Sequence, residues 1–214
     1  MLSFIRRKED IDLAVMQGIL DELIQKIKGF TFRPLDLSNA EISYMATKGQ
    51  SVLEIESGLW GEYRKQKYNI KERPILRKDA KDYVRIIRKD GLIERIENFC
   101  GGELSSVRLA YYEDDRRFIV PFSLEGFQYP SYTLVTQEKD GEIDEAYQCD
   151  DGQIICTQYH KLNESEMEIA IFNVVPKAER PILEHWYGSL IRKDKIEFVV
   201  HSSYLWYNDA HHSS

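Results

Sequence analysis

The chain has 214 residues, with 29 lysines and arginines against 36 aspartates and glutamates, a formal charge of −7. At 43% apolar and 12% aromatic residues it can bury roughly 70% of the surface its unfolded chain would expose, which excludes a disordered chain and fits one ordinary domain. No stretch approaches the roughly 20 apolar residues of a membrane helix, and Met1-Leu-Ser-Phe-Ile-Arg6-Arg7-Lys8 meets charge too early for a signal peptide, so a cytoplasmic location away from membranes is expected.

From Ile11 to Ile27, the residues Leu13, Met16, Leu20, Leu23 and Ile27 recur at intervals of three and four. This spacing predicts an amphipathic helix, with Asp10 and Asp12 at its positive end and Lys26, Lys28 and Gly29 at its finish. Ser38-Asn-Ala-Glu41 has capping-box spacing and predicts a second, short helix ended by Gly49. The pattern recurs at Ser51-Val-Leu-Glu54. The stretch that follows, through Tyr68, reads as helix or strand with helix favoured, since Gly58 and Gly61 weaken either choice.

Two readings compete between Lys78 and Cys100. Asp90-Gly91 suits a tight hairpin, but straight pairing across it sets Ile87 opposite Glu94 and Ile86 opposite Arg95, mixing apolar and charged residues on both faces. Helical spacing gathers Leu92, Ile93, Ile96, Phe99 and Cys100 on one side and ends at Gly101-Gly102, so a helix over 92–100 is expected.

Beyond Gly102 the pattern alternates with period two: Val107 to Tyr111, Phe118 to Phe122, Tyr132 to Gln137, Ile143 to Tyr147, Ile154 to Tyr159, Met167 to Ile171 and Ile196 to Val200, joined by tight acidic turns. Ile182, Leu183, Trp186 and Leu190 after Pro181 predict a helix near 181–190. The expected fold is a single α+β domain over 1–214, with N-terminal helices packed on one face of a C-terminal antiparallel meander. Residues 1–102 are expected to be mainly helical, 103–207 mainly sheet, and 208–214 a frayed tail.

The sequence carries no catalytic or cofactor fingerprint, and no cofactor is expected. There is no Gly-x-Ser-x-Gly elbow, no His-Glu-x-x-His and no phosphate-binding glycine loop. Cys100, Cys149 and Cys156 include no Cys-x-x-Cys pair and read as buried thiols; Cys149 and Cys156, near Asp150, Asp151 and His160, lack the fixed short spacing of structural zinc.

Charge is the remaining signal, and it is uneven: residues 1–63 carry −3, residues 64–89 carry +8 and residues 90–214 carry −12. Asp140, Glu142, Asp144, Glu145, Asp150 and Asp151 make an acidic run suited to a basic partner, and Trp186, Tyr204, Trp206 and Tyr207 are aromatic anchors of the kind found at interfaces. This layout points to a non-catalytic protein-binding domain with a basic protein partner. Its most concrete form is an acidic inhibitor, such as an immunity protein or antitoxin, that masks a nuclease-like toxin.

The alternative is a nucleic-acid-associated protein or enzyme that uses Arg77, Lys78, Lys81, Arg85, Arg88 and Lys89. Arg88-Lys-Asp-Gly-Leu-Ile-Glu-Arg95 resembles, over about eight residues, the turn after the recognition helix of winged-helix regulators. A wing should follow at once, whereas Glu97-Asn-Phe-Cys-Gly-Gly intervenes.

Overall fold

The computed structural model describes residues 2–46, 58–128, 133–139, 142–150 and 152–206. Their framework is one antiparallel sheet of β1 (Glu41–Ala46), β2 (Glu72–Arg73), β3 (Tyr83–Lys89), β4 (Leu92–Cys100), β5 (Glu103–Glu113), β6 (Arg116–Phe122), β7 (Thr133–Lys139), β8 (Glu142–Asp150), β9 (Gln153–Asn163), β10 (Glu166–Val174), β11 (Ile182–Arg192) and β12 (Ile196–Leu205). From β3 to β12 each strand lies beside its successor in sequence, and at the other end β3 pairs with β1 and β1 with β2. The helices are α1 (Leu13–Lys28) and α2 (Gly58–Tyr68), preceded by one turn of 3-10 helix at Lys8–Asp10. None of them is long and apolar enough to cross a membrane.

Helix α1 follows its sequence pattern. Asp12 caps it by accepting from the amides of Ala14 and Val15, at 2.9 and 3.1 Å, and Met16, Leu20, Leu23 and Ile27 form its buried face. That face packs on Val107, Phe118, Val120, Tyr147, Cys156 and Phe172, side chains that point the same way from β5 to β10. The opposite face of the sheet holds two further clusters, one around Ile86, Ile96 and Ile119 and one in which Leu59 and Trp60 of α2 meet Tyr159, Met167, Ile169 and Leu190. The two helices therefore cover opposite faces of the sheet, not one face as the sequence suggested.

The second helix also shows how the sheet is shaped. Its Trp60 and Tyr63 rings lie 5.8 and 6.0 Å from Phe198 on β12, and Gln66 bonds both the N–H and the C=O of Ile196, at 3.1 and 3.0 Å. Two residues past the helix, Ile70 packs against the cluster of Met45, Val84 and Ile86 on β1 and β3. An 11-residue helix is about 16 Å long, whereas a flat sheet of twelve strands would hold its outer strands roughly 50 Å apart. The sheet must coil until its two ends approach each other across α2.

Coiling leaves many strands buried on both faces, and this accounts for the elements the sequence misassigned. The expected helix over 92–100 is β4, and β3–β4 is the hairpin, turned by Asp90 and Gly91 with φ of 51° and 79°. A bulge between Ile87 and Arg88 shifts the register by one residue, so that Ile86 faces Ile96 and Arg85 faces Glu97. Gly101 and Gly102 turn β4 into β5 and stop no helix.

The helix expected near 181–190 is β11, with His185, Gly188 and Leu190 all buried. The one expected after Ser38 is strand β1, and the described residues among the first 102 contribute four strands beside the two helices. The protein is consequently richer in sheet than the expected α+β pattern. Gly49, the second capping box at Ser51–Glu54 and the tail at 208–214 lie outside the described residues.

Candidate functional site

The N-terminal segment crosses strands β8 to β11 on the side that α1 covers, and residues 2–6 form no regular element there. Ile5 is buried, its N–H donates to Gln158 Oε1 at 2.9 Å and its C=O accepts from His185 Nε2 at 3.5 Å. Burial holds the His185 imidazole below its usual pKa, which keeps it neutral and able to donate through Nε2. The Gln158 amide also donates to Ser3 O at 3.2 Å and to Glu145 Oε1 at 3.0 Å, and Glu145 accepts a further bond from the Tyr147 hydroxyl.

One residue further on, Arg6 lays its guanidinium along Glu168, Nη2 to Oε2 at 2.6 Å and Nε to Oε1 at 3.3 Å. The same carboxylate accepts from the Tyr187 hydroxyl and bonds His160 Nδ1 at 2.9 Å. The bonds from Arg6, and then from Tyr187 and His160, outweigh desolvation and hold the Glu168 pKa at about 2. Phe4 packs on the rings of His160 and Tyr187, at 5.4 and 6.2 Å.

Beyond Arg7 the segment reaches a surface cavity of about 430 Å³ lined by Lys8, Glu9, Glu179, Arg180, Pro181, Ile182, Tyr204 and Trp206. Lys8 Nζ stands 3.7 Å above the Tyr204 ring and the Arg180 guanidinium 5.5 Å from the Trp206 ring, so two cations cap two aromatic walls. The carboxylates Glu9 and Glu179 are exposed beside them.

The structure thus brings Tyr204 and Trp206, two of the four aromatic anchors expected from sequence, to one cavity. Trp186 is half-buried on β11, with its indole donating to Glu184, and Tyr207 lies outside the described residues. The acidic run separates. Asp144 and Asp150 are half-buried on β8, Asp140 and Asp151 lie outside the described residues, and Glu142 is described as backbone alone. Glu145 must be removed from the contact set: it is 3% exposed and its oxygens are engaged by Tyr147 and Gln158. The sequence counted it in an acidic run suited to a partner, but β8 turns Glu145 inwards.

The basic segment divides in the same way. Arg85 bonds the buried Glu97, Arg88 bonds Glu72 at 2.5 Å and Ser43 at 2.9 Å, and Lys89 bonds Asp36 at 2.5 Å. Arg77 is 3.8 Å from Asp79, whereas Lys78 and Lys81 are exposed and, among the described residues, meet no carboxylate. A cluster of at least three His, Cys, Asp or Glu able to hold a metal is absent among the described residues. Of the potential zinc ligands, His160 is instead bonded to Glu168, and Cys149 and Cys156 are buried in the α1 core.

Cys100, expected to be buried, is exposed at the end of β4. Burial pushes the Cys149 thiol up to about 12 and Cys156 well above its ordinary value, so both stay protonated.

Ser189 Oγ lies 2.7 Å from His201 Nε2, a nucleophile-to-base distance. Among the described residues no carboxylate orients His201, whose ring packs on Tyr187 at 5.0 Å. Sequence reasoning missed Ser3 to Glu9 because seven residues without periodicity carry no element signal. The only trace was the apolar pair Phe4-Ile5 set directly before three cations. In comparisons with known proteins, no family model matches the chain, and no curated protein and no solved structure matches it either.

Proposed function

We propose that this chain is a non-catalytic protein-binding domain whose contact surface is the cavity walled by Tyr204 and Trp206. In its most concrete form it is an acidic inhibitor, an immunity protein or antitoxin, that neutralises a basic nuclease-like toxin. The observation that carries the reading is the convergence of two aromatic side chains with Ile182 and Pro181 around one open cavity of about 430 Å³, an arrangement that accepts an anchoring side chain and desolvates it. Glu9 and Glu179 at that cavity are matched by Lys8 and Arg180, so the charge that suits a cationic partner is the net −7 of the whole chain.

The test is to co-express the chain with the product of the gene encoded beside it, assay that product for nuclease activity, and titrate the two purified proteins by calorimetry. A complex that silences the nuclease, and that Tyr204→Ala and Trp206→Ala each weaken at least tenfold, is the expected result. Full-strength binding by both variants overturns the cavity as the contact, and absence of any complex or inhibition overturns the inhibitor reading. Retention of the chain on a polyanion column at low salt, weakened by Lys78→Ala with Lys81→Ala, would replace it with the nucleic-acid alternative.

A further inference from the structure

We infer that the groove filled by residues 3–6 is a recognition site for an extended basic segment of a partner protein, and that the chain's own Phe4-Ile5-Arg6 is its resident occupant. The inference rests on the protein-binding reading above and adds the chemistry of the segment that is bound.

The groove reads main chain. The Gln158 side chain, in a residue 2% exposed, accepts from the amide of Ile5 and donates to the carbonyl of Ser3, and His185 takes the carbonyl of Ile5. Those bonds depend on an extended backbone and not on the identity of the residues that carry it. Specificity comes from two adjoining positions. Ile5 enters the apolar cluster beneath α1, and Arg6 enters a carboxylate site in which Glu168 is fixed from behind by Tyr187 and His160. An apolar residue followed by an arginine, in extended conformation, is what this surface selects.

The resident segment is also held in a way that permits exchange. Residues 2–6 make no backbone-to-backbone hydrogen bond among the described residues, so they are tied to the sheet by side chains alone. The Arg6 side chain remains 49% exposed, and nothing continues the sheet through the segment. Segments with few ladder bonds open at low free-energy cost, and a competing segment with the same chemistry shifts that equilibrium by mass action. The same face leads directly to the Lys8–Glu9 side of the cavity, so a partner segment that displaced residues 3–6 would lie next to Tyr204.

The experiment uses the full chain carrying Arg6→Glu, which sets two carboxylates against each other and loosens the resident segment. The probe is a fluorescein-labelled peptide, Leu-Ser-Phe-Ile-Arg-Arg, followed by anisotropy. The variant is expected to bind it at least tenfold more tightly than the unaltered chain, with a scrambled peptide bound at least tenfold more weakly. Adding Glu168→Gln should remove most of the gain.

A variant with native circular dichroism that binds the peptide no better than the unaltered chain, or binds the scrambled peptide equally, overturns the inference. If Arg6→Glu does not fold, Arg6→Ala replaces it in the same titration. A concentration-dependent dimer of the unaltered chain that fails to take up peptide makes a second copy the occupant and also overturns the inference. Peptide binding left unchanged by Trp206→Ala supports the groove whatever becomes of the cavity. Loss of peptide binding while the partner complex stays sensitive to Trp206→Ala removes the groove alone.

Discussion

Glu97 on β4 and Glu145 on β8 are carboxylates at nearly the same depth, 1% and 3% exposed, and they are kept there by opposite means. Glu97 accepts from two guanidinium groups, Arg85 opposite it on β3 and Arg95 two residues earlier, the latter through Nε at 2.7 Å. Arg95 is itself buried, lies 5.7 Å from the Phe32 ring and reaches the Arg33 carbonyl at 3.5 Å. Among the described residues Glu145 has only neutral donors, the Tyr147 hydroxyl and the Gln158 amide. One site is therefore a charge balance and the other a hydrogen-bond balance. Neither charge is available to a partner, although Arg85 sits in the most basic part of the sequence and Glu145 in the most acidic. A segment's net charge consequently overstates the charge its surface presents, and the excess is what the fold consumes.

The largest expected effect comes from breaking the charge balance. Glu97→Ala leaves two arginines, one of them buried at 7% exposure, without their counter-ion. Removal of one partner from a buried ion pair costs about 3–5 kcal/mol, so urea unfolding should show a loss of that order. A loss below about 1 kcal/mol would mean that water reaches Arg95 and that the two sites do not differ as described.

At the second site Glu145→Ala removes the acceptor for two donors and should cost about 1–3 kcal/mol. Glu145→Gln keeps an acceptor for Tyr147 or Gln158 and should cost under about 1 kcal/mol. The contrast sharpens further if Glu97→Gln is measured beside it, since there the lost charge itself is the interaction. Equal losses for the two glutamine variants would erase the distinction.

The core around Glu145 can be probed without mutation. Cys156 is fully buried beside Tyr147 in the α1 cluster, with Cys149 close by, and both thiols are held protonated by burial. A single equivalent of alkylating reagent should therefore react promptly in the native protein, at Cys100, with the other two thiols reacting only as the chain unfolds. Mass spectrometry of labelled peptides reads this directly. Prompt labelling of Cys156 would show that the interior next to Glu145 is open.

The same contrast explains which parts of the fold were legible. Helix α1 and the hairpins from β5 to β10 were readable because one periodicity dominates each of them: one buried stripe on α1, and strict alternation at Val107, Leu109, Phe118 and Val120. Strands β3, β4 and β11 were not, because Ile86 and Ile87 are both buried and the pairing of Arg85 with Glu97 hides a charged couple inside. A straight register sets Ile86 against a charged residue, and the one-residue bulge brings it opposite Ile96 and Arg85 opposite Glu97, while Ile87 still faces Arg95. At the candidate site the aromatic residues Tyr204 and Trp206 were visible as composition. Lys8 and the Ser3–Arg6 contacts were not, since they join residues more than 150 positions apart through single side chains.

The smallest effect separates a third buried carboxylate, one whose partner is exposed, from the other two. Glu168 shares the groove with Arg6, whose side chain is 49% exposed, so its ion pair is screened and should contribute only about 0.5–1 kcal/mol. Its folded pKa of about 2 lies below the ordinary 4.5, chiefly through the bond from Arg6. A carboxylate depressed on folding stabilises the native state above its unfolded pKa and loses that contribution as pH falls towards its folded one. Stability measured by urea unfolding should therefore decline between pH 4.5 and 2 by this amount more in the unaltered chain than in Glu168→Gln. Because Arg6 ties down the N-terminal segment, the decline should coincide with faster proteolysis before Lys8. If the two chains lose stability in parallel over that window, Arg6 and Glu168 do not form a working pair. The N-terminal segment would then be held by Gln158, His185 and the packing of Phe4 and Ile5.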